Sequence, residues 1–319
     1  AGGTTNAANG EATTPGGEST GGLDLAVQVG PNPETIDPAL NSAADGANVI
    51  VHAFETLLIV DSENKIVPGQ AESYDVSEDG MTYTFHLRDG LKWNDGEDVT
   101  AEDYVYGMQR LMDPEVASDY AFIGYILKNG AAVNTGDVAV EELGVKALDD
   151  KTVEITLEHP AVYFEAMVSM CSFGPARKDL VEKYGAEYAA DPEKAAYNGP
   201  FVMSEWKHGD ELIMTKNPDY WDADSIKLDE ICIKTVAEAK TGMAMYEQDE
   251  VDITIVPSEM VTQYVDSEFN TEAYFTGADD YIIKPFETSE LLTRIRTVLR
   301  NSRKTEKHKN FSAKGLFID

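Results

Sequence analysis

The sequence predicts an α/β fold, in which a mixed sheet is flanked by helices and a smaller α+β subdomain occupies about residues 55–175. Two local patterns are the clearest. Residues 81–87 alternate strictly between apolar and polar side chains, as in a half-buried strand. Residues 100–111 begin with a capping box and then place apolar side chains at helical spacing. Strand and helix patterns of this kind recur along the chain, which indicates the α/β class.

The N-terminal residues begin with a linker and continue into the first strand. Residues 1–22 contain Gly, Thr, Asn and Pro but no large apolar side chain, which predicts a disordered linker. Residues 23–29 alternate as the first strand. Prolines at positions 31, 33 and 38 prevent a helix before about Asn41. A helix is then expected up to the segment Phe54–Leu58.

The central residues give the most legible local signals. A polar turn at Ser77–Gly80 ends in glycine, where a positive φ costs little. Trp93 lies between two further turns and is predicted to anchor the core. Thr100 and Asp103 form the capping box of a helix. The apolar stripe of that helix contains Tyr104, Val105, Met108 and Leu111.

The later elements are predicted from alternation, turns and helical spacing. In chain order they are a hairpin over residues 143–157, a helix from about residue 160 to Met170, strands around Trp206 and at Leu212–Met214, a strand at Leu228–Lys234, a helix at Glu238–Gln248, and an apolar strand at Val251–Val256. Ser258 is expected to cap a further short helix.

Composition and charge exclude several functional classes. The chain has 319 residues, of which 42% are hydrophobic and 26% charged, as in a soluble globular protein. No apolar run approaches the length of a transmembrane helix. The net charge of −33 argues against binding to nucleic acid or to an anionic membrane. Residues 281–319 are unlike the rest, with nine Lys and Arg against four Asp and Glu.

Neither a catalytic nor a metal site is predicted. The two cysteines, Cys171 and Cys232, have apolar surroundings and are expected to be buried free thiols, with a disulfide or a reactive thiol as alternatives. There is no CxxC, CxxH or HExxH spacing, and no cofactor is expected. The acidic pairs at 149–150 and 279–280 are interpreted as turns or solvated loops, because no base and nucleophile accompany them.

The order of the motifs SEDG, TYTF, LRDG, KW, DG and VTAED between residues 77 and 103 closely resembles a known family. That family is the extracytoplasmic solute-binding proteins of ABC importers, family 5. The resemblance implies a non-enzymatic protein with a type II periplasmic-binding-protein-like fold. It also implies an extracellular or periplasmic location and an ABC importer membrane permease as partner. The hairpin GVKALDDKTVEITL resembles that of the oligopeptide binders, which favours an oligopeptide ligand.

The resemblance also implies which residues contact the ligand. In oligopeptide binders the loop that follows an Asp-Pro pair supplies groups that bind the peptide backbone. By position these are Ser42 and Ala44, with Asn41 and Ala43 beside them in the candidate ligand-binding loop. A tyrosine in an Ala-Ser-x-Tyr segment is placed on the peptide, and here it is Tyr120. The alternatives are an ordinary capped helix N-terminus for the loop, and a core or surface aromatic residue for Tyr120.

Residues 23–276 resemble only the first half of the family, whose members run to nearly twice this length and have a second α/β lobe. The expected protein is therefore truncated, and its ligand binding is expected to be impaired. Residues 1–22 resemble the tether that follows a lipidated cysteine in Gram-positive lipoproteins. A lipid anchor upstream of Ala1 would then be the only contact with a membrane.

Residues 277–319 resemble a different family. The segment GADDYIIKPF, with Lys284, resembles the end of a response-regulator receiver domain, and NFSAKGLFID resembles the first strand of a winged-helix domain. The acidic pair and the aspartate that a receiver needs are not found, so the segment is interpreted as a fragment joined to the binding protein. Two alternatives remain, namely a response regulator with a binding-protein sensor half and a non-functional chimeric fragment.

Overall fold

A computed structural model describes residues 23–61, 63–257 and 260. Within these residues the chain forms ten β-strands in three sheets. The strands are β1 (Asp24–Gln28), β2 (Leu58–Val60), β3 (Ile66–Pro68), β4 (Ala71–Val76), β5 (Thr82–Leu87), β6 (Val145–Asp149), β7 (Thr152–Thr156), β8 (Phe201–Lys207), β9 (Glu211–Lys216) and β10 (Glu230–Lys234).

Six α-helices and five short 3₁₀ helices connect these strands in the described part of the chain. The α-helices are α1 (Ala44–Ala53), α2 (Ala101–Met112), α3 (Gly130–Asn134), α4 (Phe164–Val168), α5 (Lys178–Tyr184) and α6 (Ala239–Glu247). The 3₁₀ helices are Ala121–Ile126, Val140–Glu142, Cys171–Phe173, Gly185–Glu187 and Pro192–Lys194.

The first sheet joins the two ends of the described chain. Its order is β1-β10-β9-β8, with β1 parallel to β10 and the other pairs antiparallel. Leu25 lies opposite Ile231, and Val27 lies opposite Ile233. All four side chains are buried, because each strand turns alternate residues toward the core. The mixed sheet predicted from the sequence is confirmed.

The second sheet is antiparallel and has the order β4-β5-β7-β6. Phe85 on β5 faces Val153 on β7, and neither side chain is exposed. The alternation predicted for residues 81–87 is therefore confirmed, with Tyr83 and Leu87 also buried. The strands β2 and β3 form a separate two-stranded sheet just before this one.

Helix α2 packs against the second sheet and begins where the capping box predicted. The Asp103 carboxylate accepts the Thr100 N–H at 2.8 Å and the indole N–H of Trp93 at 3.3 Å. Trp93 is fully buried, as expected of a core anchor. The helix approaches the chain at Gly174 so closely that a Cβ at Gly107 would overlap the Gly174 carbonyl oxygen. The apolar stripe Tyr104, Val105, Met108 and Leu111 is buried as predicted.

Two predicted elements differ from the structure. The segment at residues 251–256 lies beside β1 but forms one isolated bridge, Val27 to Ile253, rather than a strand. Side chains replace backbone partners on both sides of this bridge. The Asp252 carboxylate accepts the Ala26 N–H at 2.9 Å, and Gln28 Oε1 accepts the Ile255 N–H at 3.4 Å. The helix predicted up to Met170 is limited to α4, in which only Phe164 and Val168 are buried.

Several expectations lie outside the described residues. They are the linker at 1–22, the cap at Ser258 and the receiver-like segment at 277–319. In the part that is described, no helix is both long and apolar enough to cross a membrane. Cys171 and Cys232 are both free thiols, and each is half-buried rather than fully buried as expected. Burial raises the pKa of each thiol to about 11, so neither is a reactive thiolate at neutral pH.

Candidate functional site

The loop before α1 is organised around Asp37. Its backbone carbonyl accepts the N–H groups of Leu40 at 3.1 Å and Asn41 at 2.9 Å. Its carboxylate oxygen Oδ1 accepts the Ala39 N–H at 3.0 Å. These bonds form a tight turn, as expected of an aspartate that hydrogen-bonds the backbone two residues later. The turn fixes the path of the chain into the predicted ligand loop.

The four predicted loop residues have different environments. Asn41 is buried, and its Nδ2 donates to the Ala43 carbonyl at 3.0 Å, so it serves as an internal brace. Ser42, Ala43 and Ala44 are exposed. Ala43 is the N-cap residue of α1 and has no side chain that accepts a hydrogen bond from the helix. The ordinary side-chain cap considered as an alternative is therefore not formed.

Tyr120 lies after α2, at the start of the 3₁₀ helix Ala121–Ile126. Its N–H donates to Ser118 Oγ at 3.2 Å. The half-buried ring packs on Phe122, with the ring centroids 5.2 Å apart and the planes tilted by 57°. Phe122 is itself 57% exposed, so the two rings form an aromatic surface open to solvent. Tyr120 is thus half-buried and lies outside the buried core.

Helix α2 holds both predicted segments. Near its end, Arg110 Nη1 and Nη2 bind Asp37 Oδ1 and Oδ2 at 3.0 and 2.8 Å. Met112, the last residue of α2, packs against Gly124 so closely that a Cβ there would overlap its sulfur. Within the described ranges, no hydrogen bond or ring contact joins Tyr120 to residues 41–44. The two segments share a support but do not contact each other through such bonds.

A buried network that sequence reasoning missed lies beside α2 and is centred on Glu55. The Glu55 carboxylate accepts hydrogen bonds from the Tyr220 hydroxyl and, at 2.7 Å, from the Trp221 indole N–H. The Arg88 guanidinium lies 3.8 Å from the Trp221 ring centroid, within the range of a cation–π contact. Glu55 is only 1% exposed, so this network is structural and not open to a ligand.

The main chain of Glu55 is also hydrogen-bonded, by the side chains of Asn198 and Tyr104. Asn198 Oδ1 accepts the Glu55 N–H at 3.1 Å, and Asn198 Nδ2 donates to the Glu55 carbonyl at 2.9 Å. The Tyr104 hydroxyl donates to the same carbonyl at 3.1 Å. The segments at 54–58, 198–201 and 217–221 therefore meet at one point. Nothing in their spacing along the sequence indicated that they touch.

Burial dominates the electrostatics of this network. It raises the pKa of Glu55 to about 7, although hydrogen bonds from Tyr220 and Trp221 and the charge of Arg88 act in the opposite direction. The nearby Asp222 carboxylate raises it further. His52 is also buried, and desolvation lowers its pKa to about 4, which keeps the ring neutral at physiological pH. Its ring meets Phe201 edge to face, with centroids 6.3 Å apart.

The described residues offer no grouping of His, Cys, Asp and Glu that could hold a metal ion. What the arrangement provides is the exposed residues Ser42–Ala44 and an aromatic pair made of the half-buried Tyr120 and the exposed Phe122. Peptide N–H and carbonyl groups can bind the main chain of such residues, and aromatic faces can pack on a ligand. The chemistry available is therefore that of binding.

Comparison with known proteins agrees with a site whose chemistry is that of binding. The family model described as "Bacterial extracellular solute-binding proteins, family 5 Middle" matches residues 65–292. The dipeptide-binding protein DppE of Bacillus subtilis (strain 168) is 34% identical over 236 residues, which are 74% of this chain and 43% of DppE. A probable deoxycholate-binding periplasmic protein, YgiS of Escherichia coli (strain K12), is 37% identical over 72% of this chain and 43% of its own length.

Solved structures show the same fold. The substrate-binding domain of an oligopeptide ABC transporter from Bacillus anthracis matches with a TM-score of 0.75 and 38% identity, over 78% of this chain and 48% of that one. Listeria monocytogenes OppA bound to peptide matches with a TM-score of 0.75 and 31% identity, over 78% and 49%. The fold is thus of the type II periplasmic-binding-protein kind, as predicted.

The chain spans less than half the length of the relatives just named. These relatives are solute-binding proteins and not enzymes, which agrees with the prediction from the sequence. The family model covers most of the chain, including the described residues from 65 onward. The chain belongs to the bacterial extracellular solute-binding proteins of family 5.

Proposed function

We propose that this chain is the oligopeptide-recognising component of an ABC importer and that it acts outside the cytoplasm. The observation that supports it most directly is the 0.75 TM-score shared with oligopeptide-binding structures, one of them bound to peptide. Several curated relatives are named as dipeptide- or oligopeptide-binding proteins. An ABC importer membrane permease is the partner that this function requires.

In this proposal the ligand lies along the exposed loop Asn41–Ala44 and reaches Tyr120. The main chain of Ser42, Ala43 and Ala44 bonds the peptide backbone, while Asn41 braces the loop from inside. The Tyr120 ring packs on the ligand, and its hydroxyl donates a hydrogen bond. Such recognition depends on the backbone of the peptide more than on its side chains. This suits a transporter that carries peptides of mixed sequence.

We expect the affinity of this chain to be low. Pockets for small ligands are concave and surround most of the ligand surface. Binding proteins of two lobes achieve this by closing one lobe over the other. In the described residues the candidate site is a single surface, formed by the loop 41–44 and Tyr120, so a peptide held there would contact one wall. A dissociation constant near 1 mM, about −4 kcal/mol, is a reasonable expectation.

NMR titration of the isotope-labelled full chain tests this function, because it detects millimolar binding. A pool of tri- to pentapeptides should shift the amide resonances of residues 41–44 and the ring signals of Tyr120. Tyr120→Ala should remove the saturable shifts. Tyr184→Ala is the matched control, because Tyr184 is also half-buried but lies on α5; it should leave the shifts unchanged.

Sodium deoxycholate provides a second arm of the same titration, since one relative is named for it. Shifts with deoxycholate but not with peptides would show that the ligand class is wrong. Shifts confined to other parts of the surface would show that the site is wrong. No saturable shift with any peptide up to several millimolar would contradict the proposal for this chain.

Two finer parts of the proposal concern the ends of the sequence. We propose a lipid anchor upstream of Ala1, supported by the low-complexity composition of residues 1–22. The receiver-like segment at 277–319 is proposed to be a joined fragment without a signalling role. The match to the family model extends to residue 292 and so overlaps the first part of that segment.

A further inference from the structure

An internal ion pair ties the candidate ligand loop to α2. The Arg110 side chain is 8% exposed and that of Asp37 is 1% exposed. Both nitrogen–oxygen contacts, at 3.0 and 2.8 Å, are those of a bidentate guanidinium–carboxylate pair. The Tyr188 ring lies 5.3 Å from Arg110 Cζ and covers the guanidinium on one side.

We infer that Arg110 is a positioning residue, which sets the place of the Ser42–Ala44 main chain relative to Tyr120. The statement that these residues meet a peptide rests on the proposed function. The statement that Arg110 fixes the loop does not, because it follows from the bonding of Asp37 alone.

A chain of hydrogen bonds connects Arg110 to the loop through Asp37 and Asn41. Arg110 holds the Asp37 carboxylate, and the Asp37 carbonyl receives the Asn41 N–H at 2.9 Å. Asn41 Nδ2 in turn holds the Ala43 carbonyl at 3.0 Å. Each link is short and buried or partly buried, so a displacement of Arg110 is passed to the exposed residues.

The same helix fixes the other half of the candidate site. Arg110 lies in the last turn of α2, and Met112 at its end packs against Gly124 in the helix that Tyr120 begins. Arg110 therefore relates the loop and the aromatic surface through a single rigid element. The direct contacts that would otherwise relate them, hydrogen bonds or ring contacts from Tyr120 to residues 41–44, are not formed in the described residues.

A role in positioning differs from a role in stability. A buried ion pair is often replaceable by uncharged side chains at little cost to stability, whereas removing one partner leaves an uncompensated charge. What uncharged side chains do not reproduce is the orientation imposed by two parallel hydrogen bonds. Replacing both partners at once therefore separates the two roles.

Hydrogen–deuterium exchange of the full-length double variant Asp37→Asn/Arg110→Met is the test. The asparagine retains an oxygen that can accept the Ala39 N–H, so mainly the link to α2 is lost. We expect the amides of Ala39, Leu40 and Asn41 to exchange about tenfold faster, as after loss of charge-assisted hydrogen bonds. Exchange in β5 and β9 and the thermal midpoint should stay close to wild type.

Two single variants complete the test. Arg110→Lys keeps the charge but not the bidentate contact, and it should give a smaller increase at the same three amides. Arg177→Met is the matched control, since Arg177 also binds two carboxylates, those of Asp95 and Asp179, outside this loop. It should leave exchange at Ala39–Asn41 unchanged.

The outcomes separate this inference from the proposed function. Unchanged exchange in the double variant, or faster exchange throughout the protein, would overturn the positioning role. If the double variant does not fold, hydrogen–deuterium exchange at Ala39, Leu40 and Asn41 in Arg110→Lys tests the positioning role instead. Where the wild type binds peptide, the double variant should bind it several-fold more weakly. A wild type that binds no peptide contradicts the proposed function, while the exchange result still decides the role of Arg110.

Discussion

Glu55 lies in an environment that penalises its charge. It is buried under Tyr220 and Trp221, and its pKa is raised to about 7 from an ordinary value of 4.5. The folded protein therefore holds this proton more tightly than the unfolded chain. Its contribution to stability is full below the ordinary pKa and is lost as the pH rises from about 4.5 through about 7.

We expect Glu55→Gln to reduce this pH dependence. A glutamine has the same shape, can accept from Trp221 and can donate to the Tyr220 hydroxyl. The difference in unfolding free energy between variant and wild type should move by about 3 kcal/mol in favour of the variant between pH 4.5 and 8. Urea denaturation at a series of pH values measures it.

Glu211→Gln serves as the control for this experiment. Hydrogen bonds from Lys207 and Lys234 lower the pKa of Glu211 to about 2, so its contribution is lost only as the pH falls below the ordinary value of 4.5. This variant should leave the slope between pH 5 and 8 as in wild type. A Glu55→Gln slope equal to that of wild type would show that the Glu55 carboxyl is charged throughout this range.

At the scale of elements, α2 illustrates what a local pattern predicts and what it leaves open. Its start, its buried stripe and its capping box follow from residues within a few positions of one another. The close approach of α2 to the backbone at Gly174 is possible only because Gly107 has no side chain. A helix interior ordinarily disfavours glycine relative to alanine, so propensity alone would suggest the opposite residue.

Gly107→Ala should therefore destabilise the protein despite the better helix propensity of alanine. The new Cβ would overlap a backbone carbonyl, which cannot move aside as a flexible side chain can. Overpacking of this kind costs about 1–3 kcal/mol, against a propensity gain of roughly 1 kcal/mol. Thermal unfolding is the measurement, and a midpoint at or above that of wild type would contradict the close approach.

At the scale of the whole molecule, Asn198 connects the two four-stranded sheets. It precedes β8 of the first sheet, and it holds the backbone of Glu55 just before β2. Its backbone carbonyl also accepts the Gln70 side-chain N–H at 2.8 Å, next to β4 of the second sheet. Each of these bonds is buried, so their loss is not compensated by water.

Asn198→Ala should lower the free energy of unfolding of the described residues as one cooperative unit. It leaves the buried Glu55 N–H without an acceptor, at a cost of about 1–3 kcal/mol, and opens a cavity beside it. Urea unfolding followed by far-ultraviolet circular dichroism and by tryptophan fluorescence should shift equally by both probes. Asn134→Ala, on the short helix α3, is the control, with a smaller shift expected.

The sequence by itself determined the class of fold, the capping box and stripe of α2, the alternation of β5, and the family to which the chain belongs. These depend on neighbours within a few residues, or on motifs at fixed spacing. It also predicted Tyr120 and residues 41–44 as a site, through resemblance alone. It failed at residues 251–256, where an apolar run predicted a strand but the structure has one isolated bridge, with side-chain bonds from Asp252 and Gln28 on either side of it.

Only the tertiary structure decided how distant segments meet. The Asn198–Glu55 contact joins residues 143 positions apart, and the Arg110–Asp37 pair joins residues 73 apart. Folding of the intervening chain brings such distant residues into contact. Neither motif spacing nor local propensity encodes these contacts. The structure thereby showed Asn41 to be an inner brace, Ser42–Ala44 to be the exposed surface, and α2 to be the common support of both candidate segments.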